Sequence, residues 1–187
     1  MTKIVVALTG ISGVGKSTLV KMLSSIVPLT HLQASALIKA GRSTTSATEF
    51  DHDQLRHLDI DENQQLLTKG FLMATSAATG LIVLDSHTVI EDADGLTAVA
   101  ANVFGAISTE SMIFVVDEPS VIDQRRRSDL ARRRPTPSTA DLEFIQKQAQ
   151  DQAESICRRL EIPLFVFSSN EHSKIAQLLR SRLANMQ

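Results

Sequence analysis

Hydrophobic residues in this chain follow two patterns. Short, nearly continuous runs rich in Ile, Val and Phe occupy 3–10 (KIVVALTG), 81–87 (LIVLDSH), 112–119 (MIFVVDEP) and 162–170 (IPLFVFSSN), and each ends in polar or turn-forming residues. Uninterrupted rather than alternating hydrophobicity predicts strands covered on both faces. A weaker run, VPLTHLQ at 27–33, predicts a fifth strand. Between the runs, apolar residues spaced three and four apart predict helices over 16–25, 62–79, 93–106, 139–160 and 172–185. Strands alternating with helices imply a parallel sheet with right-handed crossovers, an α/β domain of three layers. Two segments, 39–61 and 125–139, read as irregular and carry unusual charge. No repeat, low-complexity tract or second domain interrupts the 187 residues, so one domain over 1–187 is expected.

Composition narrows the function classes. An apolar fraction of 43% and a charged fraction of 21% are ordinary for a globular chain. A net charge of −2 gives no global field for nucleic acid or an anionic membrane. Yet six of the twelve arginines fall between 125 and 134, which suggests one local anionic ligand. Cys157 is the single cysteine, so no internal disulfide or thiol metal cluster can form, and a small buried helix residue is the expected role. The N-terminal apolar run is too short for a signal segment, and no stretch reaches transmembrane length. A cytoplasmic location is expected.

The first strand runs into GISGVGKST at 10–18, which matches G-x-x-x-x-G-K-[ST] between an apolar run and an amphipathic helix. Its glycines let backbone N–H groups turn inward around a phosphate, and the helix beginning near Gly15 adds its positive dipole end. Gly10, Ser12, Gly13, Val14, Gly15, Lys16, Ser17 and Thr18 are therefore the candidate ATP-binding residues. Lys16 is the cation for the β- and γ-phosphates, and Ser17 supplies a hydroxyl to Mg²⁺. Asp85, closing the run LIVLD, is the candidate acidic partner of that metal; Asp117, closing MIFVVD, reads as the start of a loop. His87 shares the open end of the sheet, where it is either structural or part of the acceptor site.

The stretch RRRSDLARRRPTPS places Arg125, Arg126 and Arg127 seven positions before Arg132, Arg133 and Arg134, with Pro135 and Pro137 following. In a continuous helix Arg125 and Arg132 share a face, and the prolines would then end it. Beside a phosphate loop, this pattern predicts a lid over about 125–139 whose arginines surround a transferring phosphoryl group and exclude water. Arg125, Arg132 and Arg134, with Lys16, are the candidate catalytic residues. In the charged segment EFDHDQLRHLDIDENQQ, Arg56 is the only arginine and could pair bidentately with an acceptor's phosphate or carboxylate. That makes about 31–61 the candidate acceptor-binding segment. Asp51 and Asp53 read as helix caps, or as a base should the acceptor be a hydroxyl.

DHDQLRHLD (51–59), IVLDSHTVI (82–90) and RRRSDLARRR (125–134) resemble the matching segments of archaeal-type adenylate kinases. The resemblance implies a P-loop NTPase fold with a five-stranded parallel sheet, and transfer of the ATP γ-phosphoryl group to AMP with Mg²⁺. It also implies that Arg56 holds the AMP phosphate and that Arg125, Arg132 and Arg134 serve the lid and the transition state. The loop at Ser168 to Asn170 would then lie beside the adenine. Asp85 and His87 also match an Asp-x-His of related ATPases that act in ribosome assembly. Three readings follow: a nucleoside monophosphate kinase, most directly for AMP; a kinase of another small molecule; and an NTP-driven switch or assembly factor. Nucleic acid is not an expected partner, since no RNA-binding motif accompanies the net charge of −2.

Overall fold

The computed structural model describes residues 3–43, 60–92, 95–129 and 137–185. The five apolar runs form one sheet: β1 (Lys3–Thr9), β2 (Thr30–Gln33), β3 (Gly80–Asp85), β6 (Thr109–Val116) and β7 (Leu164–Ser168). Their spatial order is β2-β3-β1-β6-β7, and every pairing is parallel. The central strands β1, β3 and β6 are buried along almost their whole length, which is why their sequences read as continuous hydrophobicity. The edge strands β2 and β7 are only partly covered. That explains the weaker signal at 27–33.

Helices cover the sheet in two sets. α1 (Lys16–Ser24) packs with α7 (His172–Ala184); α3 (Ile60–Ala74), α4 (Ala101–Ala106) and α6 (Thr139–Leu160) form the second set. To that second set α2 (Ala34–Ser43) adds on α3, and α5 (Pro119–Ser128) adds on α6. Leu19 and Leu23 of α1, Phe71 of α3, Leu142 and Ala153 of α6 and Ile175 of α7 are all buried in one apolar core with the strands. The α6 boundaries coincide with the expected helix, because Ser138 and Asp141 form a reciprocal capping box.

Two expectations are corrected. The segment 93–106 is not one helix. Gly95–Ala98 is β5, paired antiparallel in a hairpin with β4 (Val89–Asp92), and of the described residues in that segment only Ala101–Ala106 are helical. Alanines and valines at helical spacing misled the periodicity. Thr88 donates to the Ala149 carbonyl at 2.6 Å and Gln152 donates to the Val99 carbonyl at 2.8 Å, so α6 fixes both flanks of this hairpin. Residues 39–43, expected to be irregular, complete α2. Glycine makes that helix possible where it meets α3. A Cβ on Gly41 would overlap the Leu66 carbonyl, and one on Gly70 would overlap the Leu37 carbonyl.

Candidate active site

The sheet brings its reactive ends together by register. Leu8 on β1 and Gln33 on β2 both lie level with Asp85 on β3. The loop of residues 10–15 leaves β1 at this edge, with positive φ at Gly10 (143°), Gly13 (84°) and Gly15 (107°). Gly15 is the N-cap of α1; it makes no side-chain cap, and the first turn holds no acidic residue. The amino end of α1 thus keeps its positive dipole end free of a capping side chain.

The outward side of the loop is held by hydrogen bonds to its carbonyls. Lys16 donates to the carbonyls of Gly10 at 2.8 Å and Ile11 at 3.3 Å. His87 Nδ1 lies 2.9 Å from the same Gly10 carbonyl; since a carbonyl only accepts, Nδ1 carries the proton. Arg126 Nε donates to the Ser12 carbonyl at 2.9 Å, and Arg125 Nη1 donates to the Val14 carbonyl at 2.7 Å. His87 therefore stands at the entrance of the loop, where it ties the end of β3 to the end of β1.

Ser17 Oγ is 3.5 Å from Asp85 Oδ2, and Lys16 Nζ is 4.0 Å from Asp85 Oδ1. A hydroxyl and a carboxylate side by side are hard oxygen donors, which suit Mg²⁺. Among the described residues no group of three His, Cys, Asp or Glu side chains could hold a metal alone. That donor set still fits Mg²⁺, which is usually bound through one or two protein oxygens plus substrate phosphates and water.

The arginine cluster divides in a way its spacing did not show. α5 ends at Ser128, so the helix that carries Arg125 stops short of position 132. Three consecutive helical positions point about 100° apart, and the three arginines meet three environments. Arg125 leans on the loop and also reaches Asp117 Oδ2 at 2.7 Å and Ser169 Oγ at 3.3 Å. Arg126 is buried, with both terminal nitrogens on Glu91 at 2.9 and 2.6 Å. Arg127 is exposed and pairs with Asp123 one turn earlier on α5. Of the expected lid, residues 125–128 are thus helix; Arg132, Arg133 and Arg134 lie outside the described residues, as do Arg56, Asp51 and Asp53.

Asp117 is the member that sequence reading undervalued. Burial pushes its carboxyl up, but the Ser169 hydroxyl, Arg125 and the Glu118 N–H all donate to it and hold it below the usual carboxylate value. Gln146 of α6 bonds both the N–H and the carbonyl of Asp117, at 3.1 and 3.0 Å. The end of β6 is therefore joined to the loop after β7 and, through Arg125, to the phosphate loop. Glu91 was also missed: it lies 35 residues from Arg126, and no local spacing pairs them.

A cleft of about 410 Å³ opens beside Ser17 between α1, β2 and α2, lined by Ser17, Lys21, His31, Leu32, Gln33, Ala36 and Leu37. His31 Nε2 is buried there without a hydrogen-bond partner. The cleft lies within the first part of the segment expected to bind an acceptor. Among the described residues no helix is long and apolar enough to cross a membrane.

A shikimate kinase from Bacteroides thetaiotaomicron is similar in fold, at 14% identity and a TM-score of 0.55, over 97% of this chain and 98% of that one. A gluconokinase from Sinorhizobium meliloti is similar at 13% identity and a TM-score of 0.50, over 98% of this chain and 93% of that one. No curated protein matches. The fold is thus the three-layer P-loop fold with a five-stranded parallel sheet. The phosphate loop, Asp85 and α5 all fall within residues 9–143, the stretch matched by the AAA domain family, and the chain belongs to that family.

Proposed function

We propose that this protein transfers the γ-phosphoryl group of ATP to a small anionic acceptor bound in the cleft beside Ser17, with AMP as the first acceptor to test. The observation that carries the proposal is the meeting of Ser17, Asp85 and Lys16, with Ser17 also lining that cleft. A donor phosphate on the loop and an acceptor in the cleft would be neighbours, as an in-line displacement requires.

Lys16 would leave the Gly10 and Ile11 carbonyls for the β- and γ-phosphates, and the N–H groups of residues 13–17 would hold their remaining oxygens. Ser17 and Asp85 would hold Mg²⁺, which when bound neutralises charge on the phosphates. Arg125 lies close enough to the loop to contribute a further cation, and Ser168 to Asn170 would border the base. Arg56 would bind the acceptor's anionic group, while Arg132 and Arg134 would enclose the phosphoryl group and keep water out. Catalysis in this scheme is positioning and charge stabilisation, because a monophosphate oxygen needs no base.

A second reading keeps the donor and changes the acceptor to a small hydroxy acid or sugar. The fold likeness to a shikimate kinase and a gluconokinase favours testing it, and the mixed lining of the cleft (Lys21, His31 and Gln33 beside Leu32 and Leu37) suits either acceptor. ADP formation measured across nucleoside monophosphates, sugars and hydroxy acids, with a no-acceptor control and Lys16→Ala, separates the readings. ADP formed with AMP and abolished by Lys16→Ala is expected. Equal ADP formation with and without any acceptor would refute phosphotransfer in favour of hydrolysis.

A further inference from the structure

We infer that Arg126 is a positioning residue for the phosphate loop, and that the β4–β5 hairpin belongs to the nucleotide site through Glu91. The inference rests on the reading that the loop binds a nucleoside triphosphate.

Arg126 is buried at 5% exposure, and three of its nitrogens have defined partners. Nε donates to the Ser12 carbonyl, while Nη1 and Nη2 form a two-pronged pair with Glu91. Its aliphatic stem lies on Gly13 so closely that a Cβ there would come within 2.7 Å of Arg126 Cγ. Both the direction of the guanidinium and its distance from the loop are thereby fixed.

The consequence for phosphate binding follows from the planar peptide. The Ser12 carbonyl and the Gly13 N–H belong to one peptide unit and point in opposite directions. Holding that carbonyl outward turns the Gly13 N–H inward, where a phosphate oxygen is met. Arg125 does the same for the next unit but one, since its bond to the Val14 carbonyl orients the Gly15 N–H. Glu91 has a separate task. It keeps the Arg126 charge paired on the far side of the loop, so that the guanidinium cannot swing toward the phosphates. The hairpin bearing Glu91 is itself fixed to α6 at Thr88 and Val99. Geometry, rather than charge alone, is the function of Arg126, so a lysine should not replace it.

Calorimetric titration with Mg·ATP tests this on the wild type, Glu91→Gln, Arg126→Lys and Arg126→Met, each with a urea midpoint measured in parallel. Glu91→Gln and Arg126→Lys should weaken ATP binding by about tenfold to a hundredfold, the effect of losing a charge-assisted hydrogen bond. KM for ATP should rise by the same factor while kcat at saturating ATP is retained, the signature of lost nucleotide binding rather than lost chemistry. Glu91 is partly exposed, so Glu91→Gln remains informative even where Arg126→Met fails to fold. Wild-type ATP affinity in folded Glu91→Gln and Arg126→Lys would overturn the clamp alone. A wild type that binds no Mg·ATP would overturn the nucleotide reading and the clamp with it.

Discussion

Replacing Gly13 by alanine separates two reasons for a glycine. At φ +84° any L side chain is strained, and here the new Cβ would also meet Arg126 at Cγ (2.7 Å) and Nε (3.3 Å). Gly80 supplies the control: its φ is +81°, yet a Cβ there would have nothing within 4 Å. The left-handed backbone costs an alanine about 1–2 kcal/mol at either position. Only at Gly13 must Arg126 also shift, and its bonds to Glu91 and the Ser12 carbonyl are of the charged kind worth about 1.5–3 kcal/mol. Gly13→Ala should therefore destabilise by about 2.5–5 kcal/mol and Gly80→Ala by about 1–2 kcal/mol, against a total stability of about 5–15 kcal/mol. Urea denaturation followed by circular dichroism measures both. Equal losses in the two variants would show that Arg126 yields freely, and the account of a fixed guanidinium on the loop would fail.

Three further outcomes are expected. Gly70→Ala should destabilise by about 1–3 kcal/mol because its Cβ meets backbone rather than a flexible side chain, whereas Leu72→Ala, exposed on the same helix, should change thermal stability by less than about 0.5 kcal/mol. Burial raises the Cys157 thiol from an ordinary 9.0 to about 11. Its contribution to stability is thus whole below pH 9 and lost as pH rises toward 11; the gap is worth about 2.7 kcal/mol, and Cys157→Ala should flatten that alkaline slope in denaturation curves. Asp85→Asn should lower ATP affinity in Mg²⁺ by about tenfold to a hundredfold and leave affinity in EDTA unchanged, as read by calorimetry.

Strands and the phosphate loop were legible because their signals are local. β1, β3 and β6 lie between two layers of helices, so each carries an unbroken apolar run through its covered middle, and the loop's glycines are demanded by backbone φ. The second hairpin strand, β5, was read as part of a helix over 93–106 because its residues fit a helical period. Arg125, Arg126 and Arg127 are the same letter three times, and the sequence reading singled out only Arg125, leaving Arg126 and Arg127 without separate roles. Helical rotation sends one to the loop and Asp117, one into the interior and one to solvent. The difference lies in Glu91, Asp117 and Ser169, partners brought by three other parts of the chain.

The glycines at the α2–α3 crossing carry a mechanical consequence. Where Gly41 meets Leu66 and Gly70 meets Leu37, the two helices touch through backbone, with no side chain between them. Such a joint has no rotamers to rearrange and no layer of methyl groups to compress. Leu37 serves both that joint and the cleft wall, so the backbone contact between α2 and α3 fixes where one wall of the cleft stands.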